Sequence, residues 1–417
     1  MMRSGVSVAE VFGRIIGDRD NLRCTAYDGS STGSPDAPVT LDVMSPEALQ
    51  YLATAPSDLG LARAFVSGAL KVNGDLHIAL HALVPGSGQD ISAAEKLSIL
   101  RGLGSWVLHR PPIPPEEASP SWRRGLRHSK QRDAKAISHH YDVSNRFYEM
   151  LLGPSMTYTC AVYPRLDTTL EEAQAEKYDL VCRKLALEPG MRLLDVGCGW
   201  GGMVMHAAEH YGVSVLGVTL SRQQAEWAQK NIAERGLVDR AEVRFLDYRD
   251  VPESHFDAIS SIGLTEHIGR KQLASYFTRL ASKLRPEGRL LNHCITRPTT
   301  KERARSGGFI DRYVFPDGEL TAVGTIESSM QDHGFEPRHA ENLREHYAMT
   351  LRDWGANLET HWDEAVAEVG IRRARVWKLY MAASRVGFDT NSIQLHQVLG
   401  VKLGKDGSSG MPLRPTF

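Results

Sequence analysis

The sequence predicts an α/β fold: a doubly wound, mostly parallel, Rossmann-like sheet from about residue 137 onward, preceded by a smaller N-terminal α+β domain. Three observations predict it. Short apolar runs alternate with amphipathic helical stretches through the C-terminal region, as in strand–helix units that build a parallel sheet. The first of these runs ends in the glycine-rich turn "DVGCGWGG", Asp195 to Gly202. Composition also shifts at 109–136, where a proline-rich and then a basic stretch separate the N-terminal pattern from the C-terminal one.

The N-terminal domain is expected over residues 1–110. Val8, Val11, Phe12, Ile15 and Ile16 recur at helical spacing, giving an amphipathic helix that packs on its own domain or faces a lipid or partner. The β-like stretches "LRCTAYDGS" and "PVTLDVMS" follow, then a helical pattern from Pro46. "GALKVNGDLHIALHAL" reads as a hairpin, with Asn73-Gly74 at a type I′ turn. "HRPPIPPEEASPS" (109–121) reads as an extended linker. Behind it, Arg123, Arg124, Arg127, Lys130, Arg132 and Lys135 face one acid, Asp133. Such a run is a solvated helix face or a contact for anionic lipid headgroups. No aromatics interleave with it for base stacking, so no nucleic-acid partner is expected.

From 137 to 417 the pattern is α/β. Helix-like "TLEEAQAEKYDLVCRKLAL" precedes strand "RLLDVG", helix "GGMVMHAAEHYG" and strand "VSVLGVTL". Helix "RQQAEWAQKNIAERG", strands "AEVRFLDY" and "FDAISSIG", helix "KQLASYFTRLASKL" and strand "GRLLNHCITR" follow. Ligands of such sheets sit at the carboxyl ends of the strands.

The totals set limits. At 417 residues, two domains are expected. A net charge of -1 offers no global attraction to polyanions, so any such binding must be local. The five cysteines show no CxxC or CxxH spacing, which points to a reducing compartment and to no metal site. No apolar run reaches the roughly 18 residues of a membrane span, and the N-terminus has no secretory signal pattern. A cytoplasmic location is expected, at the inner face of the plasma membrane if the chain meets lipid.

The glycine turn alone suits dinucleotides and S-adenosylmethionine (SAM) alike. Three features favour SAM. Asp195 precedes the glycines, the second strand ends in Thr219 rather than the acid that a NAD site places on its ribose, and the third ends in "LDYRD", suited to flanking an adenine.

The stretches "HYDVSNRFYEMLLGPSMTYTCAVYP", "DVGCGWGG", "GVTLSRQQ", "LDYRD", "SIGLTEHIG" and "RYVFPDGEL" resemble the cyclopropane fatty acid synthase family, which includes the mycolic acid cyclopropane and methyl-branching enzymes. The resemblance runs from 137 to about 400. The N-terminal domain, especially "GLARAFVSGALKVNGDLHIAL", resembles the extra domain of the phospholipid-acting members. Within them the chain looks most like the long actinobacterial branch linked to 10-methylene and 10-methyl (tuberculostearic-type) acids.

The resemblance implies a SAM-dependent C-methyltransferase acting at the double bond of an unsaturated acyl chain in a phospholipid. Tyr158, Thr159, Gly197, Gly199, Gly201, Thr219, Gln224, Tyr248 and Ile262 resemble SAM-binding positions, supported by Asp195 and Asp247. Cys160, Glu266, His293, Ile295 and Tyr347 match positions around a bicarbonate that serves as the base; His140 and Tyr148 match the substrate side. No covalent role is expected for Cys160, and His267 is expected to cap or pack. The resemblance also implies a homodimer and a reductase that saturates a methylene product. Thr265 stands where the family commonly has an aromatic, and Cys294 where relatives have Thr. Two other readings stay open: a SAM methyltransferase of a soluble small molecule, and a non-catalytic lipid-binding protein with a relict SAM pocket.

Overall fold

The computed structural model describes residues 7–16, 21–55, 57–83, 105–118, 143–301, 308–315 and 318–417. The basic run at 123–135 and His140 lie outside them. The chain forms two units: Met1–Trp122 with Gly307–Pro316 and Trp362–Val386, and Arg123–Ser306 with Asp317–His361 and Gly387–Phe417. The first thus takes in two segments from beyond residue 136.

The first unit carries strands β1 (Leu22–Ala26), β2 (Ser31–Thr32), β3 (Val39–Val43) and β4 (Leu70–Asn73) in the order β2-β1-β3-β4. Helix Val8–Ile16 lays Val8, Val11 and Phe12 into the core of this unit, the packed one of its two expected roles. The expected hairpin at Asn73-Gly74 is not formed. Gly74 leaves the strand at φ 103°, and Asp75 accepts a hydrogen bond from the His77 amide at 2.8 Å. That cap starts helix Leu76–Ala82, so "LHIALHA" winds where its alternation read as a strand. Over its described residues, 109–118, the proline-rich stretch is irregular, but it is tied down rather than free. Tyr51 donates its hydroxyl to the Pro112 carbonyl at 2.6 Å. Arg63 forks onto Glu117 at 2.7 and 2.8 Å, with the Glu117 side chain 2% exposed.

The second unit holds β5 (Arg192–Val196), β6 (Ser214–Thr219), β7 (Ala241–Phe245), β8 (Phe256–Ile262), β9 (Leu284–Arg297), β10 (Thr321–Ala322), β11 (Glu336–Asn342) and β12 (Gln394–Val401). The order is β11-β12-β9-β8-β5-β6-β7, with β10 beside β9. β7, β6, β5, β8 and β9 run parallel, while β12 is antiparallel to β9 and β11. Helices Leu170–Leu185, Gly202–Tyr211 and Arg222–Glu234 pack one apolar cluster; Leu273–Lys283 and Val323–Asp332 pack another. This is the doubly wound arrangement expected. From β5 the chain steps outward to β6 and β7, then returns to β8 on the other side. A crevice therefore opens at the carboxyl ends of β5 and β8. Among the described residues no helix is long and apolar enough to cross a membrane.

Candidate active site

The site begins where β5 stops. Gly197 takes φ 75°, a conformation that costs a side-chain-bearing residue strain. At Gly202, which opens helix Gly202–Tyr211, a Cβ would stand 2.1 Å from the Tyr178 hydroxyl. The backbone there is held against Tyr178, whose hydroxyl also meets Thr157 Oγ1 at 2.6 Å. Just before the turn, Asp195 is 2% exposed and accepts from Ser260 Oγ at 2.6 Å. Burial raises its carboxyl to about 6, against the opposing pull of Ser260 and Lys177.

A cleft flanks this turn in two lobes that share Gly197, Gly199, Gln224 and Gly263. Tyr158, Thr159, Lys177, Asp195 and Ile262 line one lobe. Thr219, Leu246, Tyr248 and His267 line the other. Thr219 donates to Gln224 Oε1 at 2.8 Å, fixing both at the end of β6. Most residues expected to bind cofactor thus meet in one cleft. Two stand apart. A Cβ at Gly201 would meet Ala228 and Val243, so this glycine serves helix–sheet packing. Asp247 takes the fork of Arg249 at 2.8 and 2.6 Å and braces the turn carrying Tyr248.

The second set hangs on β9. The Ile295 amide donates to Glu266 Oε1 at 2.7 Å, which ties the helix Thr265–Ile268 to the strand. Glu266 Oε2 is buried without a partner, and burial raises the carboxyl to about 7. His293, two residues back along β9, is 1% exposed and has its Nε2 buried without a partner. Burial holds its imidazole well below the usual range, in the neutral form. Cys160 reaches this region through Leu343: its Sγ lies 3.8 Å from the Leu343 carbonyl, which also accepts from the Tyr347 amide at 3.2 Å. Burial pushes the Cys160 thiol up, which suits a pocket wall and not a nucleophile. Thr265 turns its hydroxyl onto Asn292 Oδ1 at 2.6 Å.

Aromatic rings join the two sets. Trp200 and Tyr148 lie 4.8 Å apart between centroids, Tyr148 and Tyr158 6.0 Å, and Tyr158 and Trp354 5.4 Å. Trp354 and Tyr347 follow at 6.1 Å, and Tyr347 and Phe388 stack at 4.5 Å. The sequence does not single out Trp200, Trp354 or Phe388, since each reads as an ordinary core aromatic. Nor does it single out Lys177, Lys184 or Gln397. Yet the two lysines fall in phase with Ala173, Val181 and Leu185 on the buried face of one helix, and that placement is legible.

Comparison with known proteins identifies the family. The family described as mycolic acid cyclopropane synthetase matches residues 128–398. The chain is 57% identical over 404 residues to a protein of Mycobacterium tuberculosis (strain ATCC 25618 / H37Rv) named "Probable fatty acid methyltransferase", covering 94% of each. It is 37% identical over 271 residues to the cyclopropane-fatty-acyl-phospholipid synthase of Escherichia coli (strain K12), covering 65% of this chain and 69% of that one. Among solved structures, the Mycobacterium tuberculosis cyclopropane synthase MmaA2 superposes with a TM-score of 0.62 at 34% identity, over 66% of this chain and 99% of that one. The mycolic acid cyclopropane synthase CmaA1, complexed with SAH and CTAB, does so with 0.61 at 33%, over 64% and 98%. A cleft built of glycines, Asp195 and Thr219 fits SAM, and the chain belongs to the mycolic acid cyclopropane synthetase family of SAM-dependent methyltransferases.

Proposed function

We propose that this enzyme transfers the methyl group of SAM to a double-bond carbon of an unsaturated fatty acyl chain carried by a phospholipid. The observation that carries the reading is the row of rings running from Trp200 and Tyr158 at the cleft to Tyr347 and Phe388. An olefin attacking a sulfonium methyl becomes a carbocation, and a dry site stabilises it with π faces and fixed negative charge. The rings supply the first and the Glu266 carboxylate the second. The relatives named as fatty acid methyltransferase and cyclopropane-fatty-acyl-phospholipid synthase support an acyl substrate.

Loss of a proton completes the reaction. Lost directly from the new methyl, it closes a cyclopropane; lost from that methyl after a 1,2-hydride shift has carried the cation onto the methylated carbon, it leaves a 10-methylene branch that a partner reductase would saturate. Glu266 Oε2 and His293 Nε2–H, each buried without a partner, are an acceptor and a donor of the kind bicarbonate would use, since it carries both a charged oxygen and a hydroxyl. Bound there, bicarbonate would supply the proton acceptor, and Glu266 and His293 would hold it. Thr265, bonded to β9, offers no π face beside Glu266, and so alters the field around the cation that decides which product forms. The N-terminal unit, with the basic run that follows it, would hold the enzyme at the inner membrane surface.

The test is incubation with SAM and vesicles of an oleoyl phospholipid, followed by mass spectrometry of the fatty acids. A gain of one CH2 unit is expected, and hydrogenation then distinguishes an exocyclic alkene from a ring. No gain overturns the reading.

A further inference from the structure

Lys177 is 1% exposed, yet it lines the cleft beside Thr159, Asp195 and Gly197. Its ammonium donates to Thr159 Oγ1 at 3.1 Å and lies 3.8 Å over the Tyr178 ring. Both partners are neutral. Among the described residues no carboxylate comes within ion-pairing distance of it. The acids whose field it feels are Cys160, which stays a thiol, and Asp195, whose Oδ1 is taken by Ser260. A buried ammonium bonded only to neutral partners is costly, and an anion that joins it offsets part of that cost.

SAM offers one anion. Its adenosine suits the lobe of Thr219, Leu246 and Tyr248, where apolar and aromatic groups dominate. The other lobe presents a cation, Lys177, and an acid, Asp195, which is the complement of an amino-acid zwitterion. We propose that Lys177 anchors the α-carboxylate at the amino-acid end of SAM, with Asp195 turned to its α-ammonium. Burial lowers the Lys177 ammonium to about 7. The inference rests on SAM dependence alone and is independent of the lipid substrate. It makes Lys177 a cofactor-anchoring residue.

The experiment is calorimetric binding of S-adenosylhomocysteine and of the same thioether lacking its carboxyl group, to the full chain and to Lys177→Met and Lys177→Gln. In the unchanged protein, deleting the carboxyl group should weaken binding about tenfold or more, the size of a charge-assisted hydrogen bond. Both variants should lose a similar factor for the parent compound and little for the decarboxylated one. Equal losses for the two ligands in a variant that melts as the unchanged protein does would overturn the proposal. So would a loss of less than about threefold on removing the carboxyl group from the ligand of the unchanged protein, an effect under 1 kcal/mol. That second result stands even if neither variant folds. Because no lipid is present, failure here leaves the acyl-transfer reading intact.

Discussion

Gln397 stands with its side-chain nitrogen 3.2 Å from His293 Nδ1, and its direction is set by Lys184. The Lys184 ammonium donates to Gln397 Oε1 at 2.7 Å, so the amide must present its N–H2 group to the imidazole. The neutral His293 ring then accepts at Nδ1 and carries its proton on Nε2, the buried nitrogen without a partner. Gln397→Glu reverses that preference, because a carboxylate accepts from Nδ1. The expected outcome is a fall in turnover of about 10- to 100-fold, as for lost orienting partners of functional histidines. Nitrogen NMR of the imidazole should report the changed tautomer, and binding of S-adenosylhomocysteine should be kept. An unaltered tautomer with unaltered turnover would remove Gln397 from this role.

Glu266 links the site to pH. The carboxyl ionises near 4.5 in the unfolded chain and about 7 in the folded one, because burial disfavours its charge. Between those values the folded protein holds a proton that the unfolded chain has released. Stability from this group is therefore greatest below 4.5, falls as pH rises toward 7 and is level above it. Glu266→Gln keeps an oxygen for the Ile295 amide and removes the titration. It should be more stable than the unchanged protein at pH 8 relative to pH 4, by on the order of 3 kcal/mol at about 1.4 kcal/mol per pKa unit. Denaturant melts at the two pH values measure this. Turnover of the unchanged protein should rise through pH 7 as the carboxylate forms, and Glu266→Gln should bind SAM without turnover.

Much of this site was legible because its elements are local. The glycine turn, Thr219 and the strand end at Ile262 each announce themselves within a few residues, and strand–helix alternation orders them along the sheet. The partners that tune them were not legible, since they meet across the chain. Gln397 reaches His293 only because β12 inserts antiparallel to β9, pairing those two residues in register. Cys160 and Tyr347 meet through the Leu343 carbonyl. The segment Trp362–Val386 joins the first unit through contacts such as Arg375 on the Val66 carbonyl at 3.4 Å, which no local periodicity encodes. The hairpin expected at Asn73-Gly74 failed for the opposite reason. A local signal, the Asp75 cap, outweighed the alternation used to read the strand.

Gly202→Ala tests how tightly the cofactor turn is packed. Its new methyl would stand 2.1 Å from the Tyr178 hydroxyl, which Thr157 also holds. Either the helix start or Tyr178 must move. Overpacking of this kind costs about 1–3 kcal/mol, and a lowered melting temperature is expected. Affinity for S-adenosylhomocysteine should fall with it, because Tyr178 lines the same lobe as Thr159 and Asp195. Gly202→Ala with Tyr178→Phe removes the hydroxyl and should recover some of both losses.

Glu117 tests whether the proline-rich stretch belongs to the first unit in energy as well as in position. Its carboxylate is 2% exposed and takes the Arg63 fork, with the Tyr313 hydroxyl donating at 3.2 Å. Arg63 is itself 13% exposed on helix Asp58–Ser67. Glu117→Ala leaves that guanidinium buried without its counter-charge, a loss of about 3–5 kcal/mol. Hydrogen exchange should then quicken across helices Glu47–Thr54 and Asp58–Ser67. Arg63→Met placed in the same chain removes the stranded charge and should restore much of the protection. If Glu117→Ala leaves exchange in those helices unchanged, the stretch is only resting on the unit, and its ion pair contributes little to holding it.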